Sequence, residues 1–170
     1  MSELSFIVLA RAIHVMAGVT WAGAVFVMAA VVAPLSARHG AEGAGRWLGL
    51  VAGRAGRISI ITALLTVLSG IYLLAVLHPH DTSASGLVLI SGAVAALLAL
   101  ALGLLVARPT GLRLARLGQA QAGGTAPTAE MLRQMEQLRL RATVSGRVAA
   151  GLLGASVLAM AVFRYAVALA

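Results

Sequence analysis

Between residues 10 and 26 the chain reads ARAIHVMAGVTWAGAVF, an apolar run that nevertheless holds Arg11, His14 and Trp21. Arginine presents a permanent cation whose planar donors match a carboxylate or a phosphate. A neutral imidazole presents a nitrogen lone pair to a metal. At helical spacing, positions 11, 14, 18, 21 and 25 share one face, which reads Arg11, His14, Gly18, Trp21, Val25. Gly18 removes side-chain bulk between imidazole and indole, leaving a notch that suits a planar cofactor or a close helix. Ionisable residues inside apolar spans are costly and face the protein interior, so His14 is a functional candidate by default. For Trp21 the leading expectation is packing.

Two further stretches carry ligand chemistry. In HPHD, residues 78–81, proline disfavours helix at the preceding histidine, so a helix should end near Leu77. In extended backbone His78 and His80 point the same way and can share one metal; imidazole suits copper, iron, zinc and nickel alike. Taken alone the motif reads more simply as a polar turn. In MAVFRYA, Met160 and Arg164 stand four residues apart on one helix face. A thioether at Met160 is a soft ligand for Cu(I) or an axial ligand for haem, although intramembrane methionine more often packs. Arg164 either snorkels to the interface beside Tyr165 or joins Arg11 in pairing with an anion, Asp81 or the propionates of a haem.

The elements that must position these residues follow from composition. Hydrophobic residues make up 61% of the 170 and charged residues 11%, far from the roughly one-quarter charge of an average soluble domain. Four apolar stretches, about residues 6–32, 58–77, 87–107 and 148–169, each match the roughly 20 helical residues needed to cross a hydrocarbon core. The expected fold is all-α, a single integral-membrane four-helix bundle over residues 1–170. Helical rise brings the candidates to one level: Pro34 back to His14, Arg57 out to His78, and Val144 out to Arg164 each span roughly 30 Å. Arg11, His14, His78, His80, Asp81, Arg164 and Tyr165 should therefore lie together near one membrane boundary.

Charge gives that boundary a side. All 13 basic residues are arginine, and 11 of them lie either between spans one and two or between spans three and four. The positive-inside rule makes those segments cytoplasmic and turns both termini and the HPHD turn outward. The net charge of +8 is thus topological, with help from anionic lipid, and no nucleic-acid partner is expected. The absence of cysteine excludes disulfides and thiolate sites in this chain. The long apolar N-terminal run, with Glu3 and no early cation, reads as a retained span rather than a cleaved leader. GQAQAGGTAPT reads as a loop. After Pro127, the spacing of Met131, Leu132, Met135, Leu138 and Ala142 predicts an amphipathic cytoplasmic helix before span four, running into it with or without a break; it would lie on the membrane surface, which needs no partner, or else dock a partner helix. Glycines recur in every span and fit a tight bundle or a homodimer seam, while Ser59, Thr62, Thr66 and Ser69 make one hydroxyl stripe on span two.

The segment LARAIHVMAGVTWAGAVFVMAAVVAPL resembles the first helix of the transmembrane domain of the copper-resistance protein D family, whose pattern Arg11, His14, Trp21 and Gly23 match. The same histidine-to-tryptophan spacing is similar, more distantly, to that of the small haem-binding protoporphyrinogen-oxidase membrane family. There proline, arginine and leucine follow the glycine closely, where this chain has AVFVMAAVVAPL. Copper-resistance D proteins are longer, so the chain corresponds to the terminal domain alone. The first resemblance implies copper binding or movement near the outer face of a bacterial-type inner membrane. The second implies haem b.

Of three functions, copper handling is the expectation once the resemblance is weighed, although chemistry alone favours haem by a narrow margin. In the first, copper is handled through His14, His78 and His80 with Met160 deeper. In the second, an electron-transfer or oxidoreductase subunit holds haem b through His14 with His78 or His80, with Arg11 and Arg164 on the propionates and Gly18 and Trp21 packed around it. In the third, a structural partner subunit carries no cofactor. The spans hold no acidic residue to serve a hydrolase as base.

Overall fold

The computed structural model describes residues 2–35, 44–79, 81–122 and 128–168, and the expected ligand His80 lies outside them. The described residues form helices and short turns with no strand. Helix α1, Glu3–Val27, continues through a π-helical turn at Met28–Val32. Helix α2 is Ala44–Leu77. Helix α3, Ala84–Leu102, passes through a second π turn at Gly103–Ala107 into α4, Arg108–Ala122. Helix α5 runs unbroken over Ala129–Val162 and closes in a 3-10 turn, Phe163–Ala168. Four stretches, Glu3–Leu35, Leu50–Leu77, Ala84–Ala120 and Ala129–Ala166, are long and apolar enough to cross a membrane. Helix is the form that satisfies every backbone group within such a segment.

The two π turns have a common cause. Pro34 and Pro109 each follow shortly after one, and a proline ring inside a helix clashes with the carbonyl four residues back while supplying no N–H to it. Those carbonyls belong to Ala30 and Leu105. Widening the turn relieves the clash, and the amides of Ala33 and Arg108 bond five residues back, to Met28 and Gly103. The second half of the chain repeats the first around this device. Trp21 and Ala96 lie equally far before their π turns, and both are buried; so are Ala17 and Gly92. In the returning helices, Gly56–Arg57 and Gly146–Arg147 precede Ala63 and Leu153 by equal steps, and both of the latter are core residues.

Each spanning helix contributes to one apolar core: Trp21 and Ala22 from α1, Ala63 from α2, Ala96 and Ala99 from α3, Leu153 from α5. Lipid tails are as apolar as leucine, so association in a bilayer depends on close contact rather than on escape from water. Alanine permits the approach, and one indole fills the centre. Gly92 marks the close α3–α5 seam, since a Cβ there would lie 2.9 Å from Ala159 Cβ and 3.3 Å from the Ser156 carbonyl. Most large apolar side chains point outward, for example Leu68, Leu105 and Leu158 at 63–76% exposure. Contiguous exposure on that scale suits a bilayer and not water.

At the arginine-rich end the stretch after Pro127 and span four are one helix. No separate amphipathic helix precedes span four; Thr128 caps a single helix by accepting a hydrogen bond from the Met131 amide at 3.2 Å, and α5 then runs through. Its apolar stripe is partly occupied, because α4 packs against α5, while Leu132 stays exposed. Met135 is buried, and Met131, Leu138 and Ala142 are half-buried. Gly118–Ala122, expected in a loop, form the last part of α4. The hydroxyl stripe of α2 turns back on its own helix: Thr62 donates to the Ile58 carbonyl at 2.8 Å and Thr66 to that of Thr62 at 2.7 Å.

Gly92→Ala should force α3 and α5 apart and lower stability by about 1–3 kcal/mol, read as a drop in the detergent-solubilised Tm. Gly23→Ala, with nothing within 4 Å of the added methyl, should not lower it.

Candidate functional site

His14 is held by the backbone of α2. Its Nδ1 lies 2.8 Å from the carbonyl oxygen of Thr66. A carbonyl can only accept, so Nδ1 carries a proton, and Nε2 is the nitrogen left to offer a lone pair to a metal. In a helix the Thr66 carbonyl already accepts the amide four residues on, that of Gly70, and its second lone pair is normally shielded by the side chain there. Glycine leaves it open. A Cβ on Gly70 would stand 2.8 Å from His14 Cε1 and 3.1 Å from Nδ1, so this glycine is what admits the ring. The Ser69 hydroxyl stands 3.4 Å from the same nitrogen. One turn deeper, Gly18 lets α1 close on α2, with the Thr66 methyl 3.5 Å from where its Cβ would be. The expected notch is therefore occupied by Thr66.

Above His14, at the end of the bundle that bears the termini, lies a cleft of about 460 Å³ lined by Arg11, Leu77, His78, Ser85, Phe163 and Arg164. Arg11, His78 and Arg164 were expected at one level, and three separate helices bring them to one opening. His78 sets its ring edge-on to Phe163, with centroids 5.9 Å apart at 86°. The Arg164 guanidinium carbon lies 5.9 Å from the Phe163 centroid. Asp81 Oδ2 is 3.4 Å from His78 Nδ1, and Asp81 Oδ1 accepts the Ser83 amide at 3.0 Å. Ser83 in turn caps α3 by accepting from the Gly86 amide at 3.2 Å.

Electrostatically the cleft is a cationic mouth. The ion pair between His78 and Asp81 is the only one among the described residues. Neither Arg11 nor Arg164 has a carboxylate partner there. The carboxyl of Asp81 is held below the ordinary aspartate range, chiefly by hydrogen bonds from the Ser83 side chain and backbone, with His78 adding to the effect. Asp81 is therefore held as a carboxylate beside His78, and neither guanidinium is paired with it or with any other carboxylate among the described residues.

The other expected residues fall elsewhere. Trp21 is 5% exposed in the core, about 10 Å along α1 from His14. Met160 packs beside Gly92, its Cγ 3.8 Å from where a Cβ would be, in the α3–α5 seam. From Gly70, where His14 rests, α2 rises about 12 Å to His78, so the two imidazoles occupy different levels. Among the described residues no three His, Cys, Asp or Glu side chains group as a metal site. Thr66, Gly70, Ser85 and Phe163 were not identified from sequence as site residues. The signal for the first two was present, a glycine four positions after a threonine on the stripe facing α1.

Asp81 gives this end of the protein an acid limit. A carboxylate with a lowered folded-state pKa contributes stability above its unfolded pKa and loses it as pH falls through the folded value. The turn at 78–83 should therefore hold at neutral pH and loosen only below the ordinary carboxylate range. Asp81→Asn should abolish that transition, followed by hydrogen exchange of the Ser83 and Gly86 amides. Comparison with protein-family models, curated proteins and solved structures finds no match to this chain.

Proposed function

We propose that this multi-pass membrane protein holds b-type haem at the end bearing its termini, as an electron-transfer or oxidoreductase subunit. His14 would bind the haem iron, and Arg11 and Arg164 would pair with the propionates. The observation that carries this reading is the hydrogen bond from His14 Nδ1 to the Thr66 carbonyl. Metal-bound histidines characteristically donate their other nitrogen to a carbonyl or carboxylate, which fixes tautomer and ring orientation. The cleft adds the second half of the argument. A ligand with two carboxylates complements two guanidiniums that have no carboxylate partner among the described residues, whereas a bare cation entering there is repelled by them. When bound, the haem supplies one-electron chemistry. The chain's own residues orient the imidazole, hold the carboxylates and keep lipid from the site.

Copper handling, in the manner implied by the resemblance to copper-resistance protein D, is the second reading. What favours it is the His78–Asp81 pair at 3.4 Å, a nitrogen and oxygen donor set beside the cleft that suits Cu(II). In either reading the arginine distribution turns both termini and residues 78–83 outward from a bacterial-type inner membrane. The basic, amphipathic first half of α5 then stands in the cytoplasm. Electron transfer also calls for a redox partner, either a second copy or a separate membrane subunit.

The test is an absorption spectrum of the purified chain, oxidised and dithionite-reduced, with metal analysis of the same sample. The expected result is a Soret band with sharp α and β bands on reduction. His14→Ala should remove it while the protein still inserts. Arg11→Gln and Arg164→Gln should each weaken haem binding roughly 10-fold, the scale of one charge-assisted hydrogen bond. Stoichiometric copper without a Soret band would establish the second reading. Neither cofactor, with both supplied during expression, would make the chain a structural subunit.

A further inference from the structure

The apolar span of α2 has a second end, and it carries its own polar feature. Counting back from Leu77, roughly 20 residues, or about 30 Å of helix, bring the chain to Arg57. Arg54 lies one turn beyond, about 4.5 Å further, within the roughly 5–7 Å layer that phospholipid headgroups occupy. Arginines three apart share a helix face, and both of these are exposed.

Three observations define what that face is built to meet. Helix α2 contains no acidic residue over Ala44–Leu77, and neither guanidinium has an ion-pair partner among the described residues. Each arginine is preceded by a glycine, Gly53 and Gly56, and nothing lies within 4 Å of where a Cβ on either would stand. The backbone beside both guanidiniums is therefore bare, and a tetrahedral anion can seat against the helix between them. The repeat supplies an internal comparison. At the equivalent place on α5, Arg147 is preceded by Val144 where α2 has Arg54, and Gly146 faces Ala29 at 4.0 Å. Only the α2 copy has two cations and open flanks.

We propose that Arg54 and Arg57 form a binding site for the headgroup phosphate of an anionic phospholipid. Two guanidiniums one turn apart bind one phosphate diester through paired N–H donors. The depth selects a lipid, because its phosphate is held at this level by its own acyl chains. The site is independent of the cofactor proposed for the opposite end, so either can fail alone.

Native mass spectrometry of the full chain in non-ionic detergent tests it, with phosphatidylglycerol and phosphatidylcholine offered at equal concentration. At about a fivefold contribution per arginine near a charged surface, wild type should favour phosphatidylglycerol roughly 30-fold. R54Q/R57Q should bring the two lipids level. R54K/R57K keeps the charge without the planar donors and should retain an intermediate preference. R147Q should leave the preference intact. Equal retention of both lipids by wild type, or a wild-type preference in R54Q/R57Q, overturns the proposal. So does displacement of phosphatidylglycerol by millimolar inorganic phosphate, which would make the free anion the ligand.

Discussion

Helices in a bilayer gain nothing by hiding apolar side chains from one another, and the rest of this structure follows from that constraint. Association has to come from contact, and contact requires backbones to come close. Gly18, Gly70 and Gly92 are the places where this chain meets the requirement. At each, a neighbouring group stands within 3.5 Å of where a methyl would be. The core is correspondingly modest in bulk, with one tryptophan set among alanines, while leucine, isoleucine and valine are spent on the outer surface. Where a water-soluble bundle would keep its largest side chains inside, this one turns them out.

Close approach also creates the polar chemistry. A helical carbonyl has a spare lone pair that side chains normally cover. Removing the side chain at Gly70 exposes the one on Thr66, and α1 is near enough for His14 to use it. The same closeness leaves the imidazole oriented and singly anchored, with one nitrogen committed and the other uncommitted. The charged groups are kept apart from this buried arrangement. Arg11, His78 and Arg164 gather around a cleft at the end of the bundle, where Phe163 contacts His78 and Arg164 and Asp81 pairs with His78.

Much of this was legible in the chain. The apolar stretches marked four helices, since length and composition alone decide what can span a bilayer. Helical rise brought Arg11, His78 and Arg164 to one level before any contact was known. The geometry around His14 was less accessible. Spacing put Gly18 and His14 on one face, but which groove that face enters depends on the rotation of α2, and so Thr66 and Gly70 escaped notice. The segment after Pro127 shows the opposite difficulty. Its apolar stripe was recognised, yet periodicity does not say whether lipid or another helix covers a stripe; here α4 covers part of it. The π turns had a visible cause in Pro34 and Pro109. Their repetition became apparent only when the buried positions of both halves were aligned around them.

Those turns divide the bundle mechanically. The two helices leading away from the termini, α1 and α3, each contain a joint where the hydrogen-bond ladder changes register. The two that return, α2 and α5, contain no proline and run straight through. The places where the ladder changes register therefore lie on α1 and α3 alone. The ladder of α2 runs unbroken to the turn that holds His78, and that of α5 runs unbroken to the 3-10 turn that holds Arg164.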